Sequence, residues 1–258
     1  MGLVAFVEKT LVVAELEARK LRHDPTELVT RAIQPALWLL VFGEVFTRTH
    51  AIPTGGLRYI DFMAPGILAQ SVLFIAIFYG IAIIWERDLG IVHKLLASPT
   101  PRAALVLGKA LSAGLRGLSQ AVIIYALALV LRVAMNWSPL ALLGVVVVVV
   151  LGSAFFSTLS LLIAVVVKTR ERFMGIGQVL TMPLFFASNA IYPLEIMPRW
   201  LQIAAHLNPL TYEVDALRAL MLAGGASAYG LGVDLAILVV AVVVVVAIGA
   251  RAYPRVVT

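Results

Sequence analysis

The chain contains no cysteine among its 258 residues, which excludes disulfides, thiol nucleophiles and cysteine-ligated metal or iron–sulfur sites. Charge is scarce too: Asp, Glu, Lys and Arg together make up 13 % of the residues, where a soluble domain carries roughly a quarter. The four histidines (His23, His50, His93, His206) fall in separate polar segments without ligand spacing, and no HExxH occurs. No apolar run holds a pair of aspartates. Gly152-Ser153-Ala154 lacks the second glycine of a serine elbow and has no histidine at its depth, so Ser153 reads as a small packing residue. A phosphate-binding loop is missing as well, because Gly108-Lys109 is followed by Ala110 and Ala103 stands where the first glycine belongs. Taken together, these absences argue against an intramembrane hydrolase, a zinc enzyme and an ATPase.

What is plentiful is apolar sequence: 62 % of residues are hydrophobic and the mean hydropathy is +1.01, which marks an integral membrane protein. The formal net charge of +6 then belongs to loops and anionic headgroups, and no nucleic-acid partner is expected. Six apolar runs, near 32–46, 60–84, 105–133, 140–167, 173–189 and 231–250, predict six transmembrane helices. The first is short and carries Pro35 near its start, which predicts a kink. The valine runs at 145–150 and 237–248 favour strands in water, but in lipid an open strand leaves backbone groups unsatisfied, so helices are expected.

Outside these runs, Leu3, Val7, Leu11, Ala14, Ala18 and Leu21 form an apolar stripe at helical spacing. It predicts an amphipathic helix over residues 1–24, lying on the membrane surface or packed on protein. Asp24-Pro25-Thr26-Glu27 reads as a helix start. Residues 191–225 are only moderately apolar, with Asn208 as a cap, Pro198 and Pro209 as first helical residues and Gly224-Gly225 as a stop. Two short helices are expected there. Fourteen Lys and Arg fall on the side of the N-terminal segment, residues 86–109, the KTRER turn at 168–172 and the tail, against five on the other side and Arg116 inside a run. Both termini are therefore expected in the cytoplasm, with the short helices outside.

Arg116 and Gln120 share one helical face; the arginine either snorkels to headgroups or contributes a polar face to a pathway or a subunit contact. Small residues Ala113 and Gly117 would allow close helix approach. Trp38, Phe42 and Phe46 repeat every four residues on the first run. Phe74 and Phe78 recur on the second, and Phe185, Phe186, Asn189 and Tyr192 at the end of the fifth. Belt and packing roles account for most such aromatics, yet a stripe of this kind also suits a passage for an amphipathic or ring-bearing substrate.

Two segments stand out: ERDLGIVHKLLASPTPRAALVLGKAL after the second run and SNAIYPLEIMPRWLQIAAHLNPLTYEVDALRALML after the fifth. In this order and spacing they give nearly the whole chain a resemblance to the ABC-2 type transporter permeases, most closely the daunorubicin-resistance-like branch. The resemblance implies one all-α transmembrane domain over residues 1–258, in the cytoplasmic (inner) membrane. It would form a homodimer with a second permease subunit and work with two copies of a separate cytoplasmic ATPase, which binds ATP and Mg. This chain itself would hold no cofactor and no metal.

The resemblance also makes residues 86–100 a coupling helix that contacts the ATPase, as does the N-terminal helix. Ile91, Val92, Leu95 and Leu96 would form its apolar ridge, and Glu86, Arg87, Asp88, His93 and Lys94 its polar contacts. A merely solvated linker is the plainer reading of the same charge run. The expected activity is outward movement of a hydrophobic or amphipathic drug or lipid by alternating access. Export of a lipid-linked polysaccharide or glycolipid is the neighbouring alternative. A scaffold or lipid-modifying enzyme without an ATPase is the alternative of another class.

Overall fold

The computed structural model describes residues 8–12, 15, 33–50, 52–98, 100–167 and 169–256. Residues 8–12 are helical, but most of the predicted N-terminal stripe, the Asp24-Pro25 helix start, Pro99 and Lys168 lie outside the described residues. Helix runs unbroken from 33 to 49, as a π-helical stretch Trp38–Gly43 that leads into α1 (Glu44–Thr49). There follow α2 (Tyr59–Asp88), α3 (Ile91–Ala97), α4 (Arg102–Val130), α5 (Pro139–Val166), α6 (Arg170–Phe186), α7 (Arg199–His206), α8 (Pro209–Met221) and α9 (Leu231–Ala252). Among the described residues the sole β feature is an isolated antiparallel bridge, Met135 to Leu222. Both valine-rich runs are helical, as satisfaction of the backbone in lipid requires.

Among the described residues four helices are long and apolar enough to cross a membrane: α2, α4, α5, and α9 with its final turn (Leu231–Arg255). The 17 residues of α6 span about 26 Å, short of the roughly 30 Å hydrocarbon core. Of the helix that holds the first expected span, residues 33–49 are described, and the π-helical stretch Trp38–Gly43 follows Pro35 in it.

The bundle is organised on α2, whose residues are buried on nearly every side. Its Ile67, Leu68, Val72 and Leu73 pack in one core with Val145, Val148 and Val149 of α5 and Val214 and Leu217 of α8. By contrast, α5 and α9 present Leu140, Leu143, Val147, Val239, Val240 and Val243 outward, the apolar exterior expected of a surface that faces lipid.

At the Arg58 end of the bundle, Arg58 donates to Asp61 at 2.7 and 2.9 Å, and Asp61 accepts from the backbone of Ala134 at 3.3 Å. Asn208 is the cap foreseen for α8, accepting from Leu210 N at 3.1 Å. Its amide nitrogen has a second task, donating to the carbonyls of Leu184 and Ala187 at 2.7 Å each. Those carbonyls belong to the end of α6, where a helix leaves its last acceptors without partners of its own, and the helix ends at Phe186 rather than near Asn189 as expected. The two expected short helices are α7 and α8, with Pro198 one position ahead of the first helical residue.

Glu213 of α8 is fully buried opposite Gly152 of α5. Any Cβ at that glycine would overlap the carboxyl group, so only glycine leaves room for it. Neither carboxyl oxygen has a hydrogen-bond partner.

At the opposite, Asp88 end, Lys109 Nζ and Glu86 Oε2 form a buried ion pair of 2.5 Å that ties the end of α2 to the beginning of α4. Asp88 pairs with Arg87 at 2.9 Å and with Arg170 at 3.1 Å, and the Arg170 guanidinium lies 3.4 Å over the Trp85 ring. A second apolar core closes this end, with Ile83, Val92, Leu105, Phe173 and Tyr253.

Candidate functional site

Partway along α2, residues Gln70, Ser71, Phe74, Ile75 and Phe78 fall on one stripe and form one wall of a half-open pocket of about 420 Å³. Gln34 and Pro35 of the preceding helix, Gln120 of α4 and Gln178 of α6 complete it. Gln70 lies about 17 Å from the first residue of α2, and Gln120 about 15 Å from the last residue of α4. Both therefore sit deep in the bundle, remote from either end.

Four glutamines from four separate helical segments line the pocket, beside Ser71 and an otherwise apolar and aromatic wall. Gln70 is 3 % exposed and Gln120 0 %. Among the described residues neither the amide nitrogen nor the oxygen of either residue has a hydrogen-bond partner. Gln34 and Gln178, at the mouth, are exposed. A buried amide left unmatched costs about 1–3 kcal/mol, so this is a cavity with unmet demand for polar contact.

Of the pathway residues expected from sequence, the structure brings Phe74, Phe78 and Gln120 into this pocket. Arg116 lies outside it, buried with its guanidinium 4.9 Å from the centre of the Tyr79 ring. That arginine reaches Tyr79 of α2.

Trp38, Phe42 and Phe46 do stack along one face, with ring centres 4.5 and 6.3 Å apart. Trp38 continues edge-on to the wholly buried Phe185, and Phe46 to Tyr59. These rings make a ladder that joins the first helix to α2 and α6, away from the glutamine pocket. Phe186 is partly exposed beside Phe185, and its carbonyl accepts from the Tyr192 hydroxyl at 2.6 Å. Asn189 instead lines a shallower cavity at the Arg58 end, with its carbonyl accepting from Arg218 at 2.8 Å. Gln34, Gln70, Ser71 and Gln178 were not anticipated. Gln70 carried a readable signal, a lone amide inside the apolar ILAQSVLF, whereas the convergence of four amides needed the fold.

The Asp88 end is the other candidate region. Gly90 adopts φ +71°, a left-handed turn that glycine accepts without strain, and α3 begins immediately after it. The expected apolar ridge is directed largely inward: Val92 is fully buried, and Leu95 and Leu96 pack against the second core. Glu86 is likewise turned inward to Lys109. Burial of apolar area and pairing of a buried charge both draw these side chains into the protein. The outward face consists of Leu89, 66 % exposed, with Asp88, His93 and Lys94, while Arg87 and Ile91 are intermediate.

The family model for ABC-2 type transporters matches residues 8–222, most of the chain. The chain belongs to the ABC-2 type transporter family. A Cyanophora paradoxa protein named as a transport permease, ycf38, is 27 % identical over 83 % of this chain and 74 % of its own length. The daunorubicin resistance ABC transporter permease protein DrrB1 of Streptomyces coeruleorubidus is 26 % identical, over 78 % of this chain and 70 % of its own. The inner membrane transport permease YadH of Escherichia coli K12 is also 26 % identical, over 74 % of this chain and 73 % of its own. As an ABC-2 family member, the chain carries its deep pocket on α2, α4, α6 and the 33–37 helix, and its exposed α3 beyond the far end of α2.

Proposed function

We propose that this ABC-2 family chain is the permease subunit of an ATP-driven exporter. It would move a hydrophobic or amphipathic substrate outward, with two copies of a separate ATPase binding ATP and Mg, and with a second copy of this chain completing the pathway in the inner membrane. In this reading the 33–49 helix and α6 cross the membrane with α2, α4, α5 and α9, giving six spans with both termini cytoplasmic. The observation that carries it is the half-open pocket deep in an apolar bundle, walled by Phe74 and Phe78. A relative named for daunorubicin resistance supports a ring-bearing or drug-like cargo.

On this reading α3 and the turn before it receive the motion of the ATPase through the exposed side chains of Leu89, His93 and Lys94. Leu89→Asp combined with Lys94→Glu is expected to abolish co-purification with the cognate ATPase. Membrane insertion and thermal melting should not change, because neither side chain belongs to the core. Retention of the ATPase by this double variant would defeat the docking assignment.

A further inference from the structure

We infer, resting on the permease reading, that the glutamine pocket selects an uncharged amphiphile: a flat apolar body bearing several hydroxyl or carbonyl groups. Each glutamine amide offers two donors and a carbonyl acceptor. At Gln70 and Gln120 all of that capacity is unmatched in a nearly sealed location. A group that both donates and accepts, such as a hydroxyl, matches both halves of such an amide.

A cationic group fits poorly. An ammonium only donates, so the amide nitrogens would remain unmatched. Among the described residues no charged side chain lines the pocket, so a buried ammonium would lack a counter-charge there. Phe74 and Phe78 offer ring faces, but such a contact is weak beside the loss of hydration. Arg116, one turn before Gln120 on α4, adds positive charge on the same helix. Carboxylates fare no better, since no cationic residue lines the cavity among the described residues. The rings take the apolar body, and the amides read its neutral polar rim.

The test uses the full chain in lipid nanodiscs and three matched probes: 2-naphthyl glucoside (neutral), its 2-amino-2-deoxy analogue (cationic) and 2-naphthyl glucuronide (anionic). Titration calorimetry, with empty nanodiscs subtracted, should show saturable binding of the glucoside and at least about tenfold weaker binding of both charged analogues. Gln70→Leu with Gln120→Leu should weaken the glucoside about tenfold. Gln34→Leu with Gln178→Leu, at exposed positions that carry no packing burden, should weaken it in the same direction.

Equal or tighter binding of either charged probe, no saturable binding of the glucoside, or unchanged binding by both double variants would overturn the inference. ATPase recruitment is read separately. A chain that recruits its ATPase and supports ATP hydrolysis but ignores the glucoside refutes the substrate class alone. A chain that recruits none refutes the permease reading whatever it binds.

Discussion

Glu213 should make this protein less stable as pH rises, an unusual direction for a carboxylate. Its side chain is fully buried against Gly152, both oxygens are without partners, and burial pushes the carboxyl well above its ordinary range. In the unfolded chain it would lose its proton near the usual glutamate value, about 4.3. Between that value and the raised one, the folded protein binds the extra proton, so rising pH works against folding. The slope approaches about 1.4 kcal/mol per pH unit while the two states differ by a whole proton. Glu213→Gln is neutral at every pH and should lack this component. Glu213→Met also removes the unmatched oxygens and should gain about 1–3 kcal/mol near neutral pH. Thermal melts in detergent from about pH 5 to about pH 8 would decide, since this range lies above the ordinary carboxylate pKa. Parallel pH profiles for the native chain and Glu213→Gln, or a Met variant that melts below the native chain throughout, would refute the reasoning.

Glu86→Ala breaks the buried Glu86–Lys109 pair and should destabilise by about 3–5 kcal/mol. Glu86→Leu with Lys109→Met should recover most of that loss, and denaturation of both variants would expose a pair that contributes nothing. For Asn208→Ala, loss of the cap and of two bonds to α6 should total about 2–3 kcal/mol. Asn208→Asp keeps the cap acceptor but loses the donors, and should fall between. Melting of the Asp variant at the native temperature would show that the link to α6 carries no weight.

Helix in every long run was legible because apolar length and the demand for backbone satisfaction leave no other choice in lipid. One cap was legible too, since Asn208-Pro209 is a local signal and the Asn208 side chain accepts the expected backbone hydrogen bond. The end of α6 was not, because it depends on a side chain more than twenty residues away. The direction of α3's apolar side was also hidden: helical spacing shows that Val92 and Leu96 share a face, but not what that face meets. Aromatic periodicity singled out Phe74 and Phe78, which line the pocket. It also drew attention to Trp38 and Phe42, which the fold uses as a ladder between helices. The distinctive chemistry lay in four scattered amides, which no one-dimensional period connects.

The Glu86–Lys109 pair has a mechanical meaning for that pocket. It clasps α2 and α4 just above α3, so the three helices form a braced hairpin rather than a loose lever. Gln70 and Gln120 ride on the two arms of this hairpin, while Gln34 and Gln178 stand on elements outside it. On the permease reading proposed above, torque entering at α3 would carry two of the glutamines as one body past the other two. Release of cargo would be a shearing apart of the quartet, with grip lost at the mouth while the deep pair stays in register.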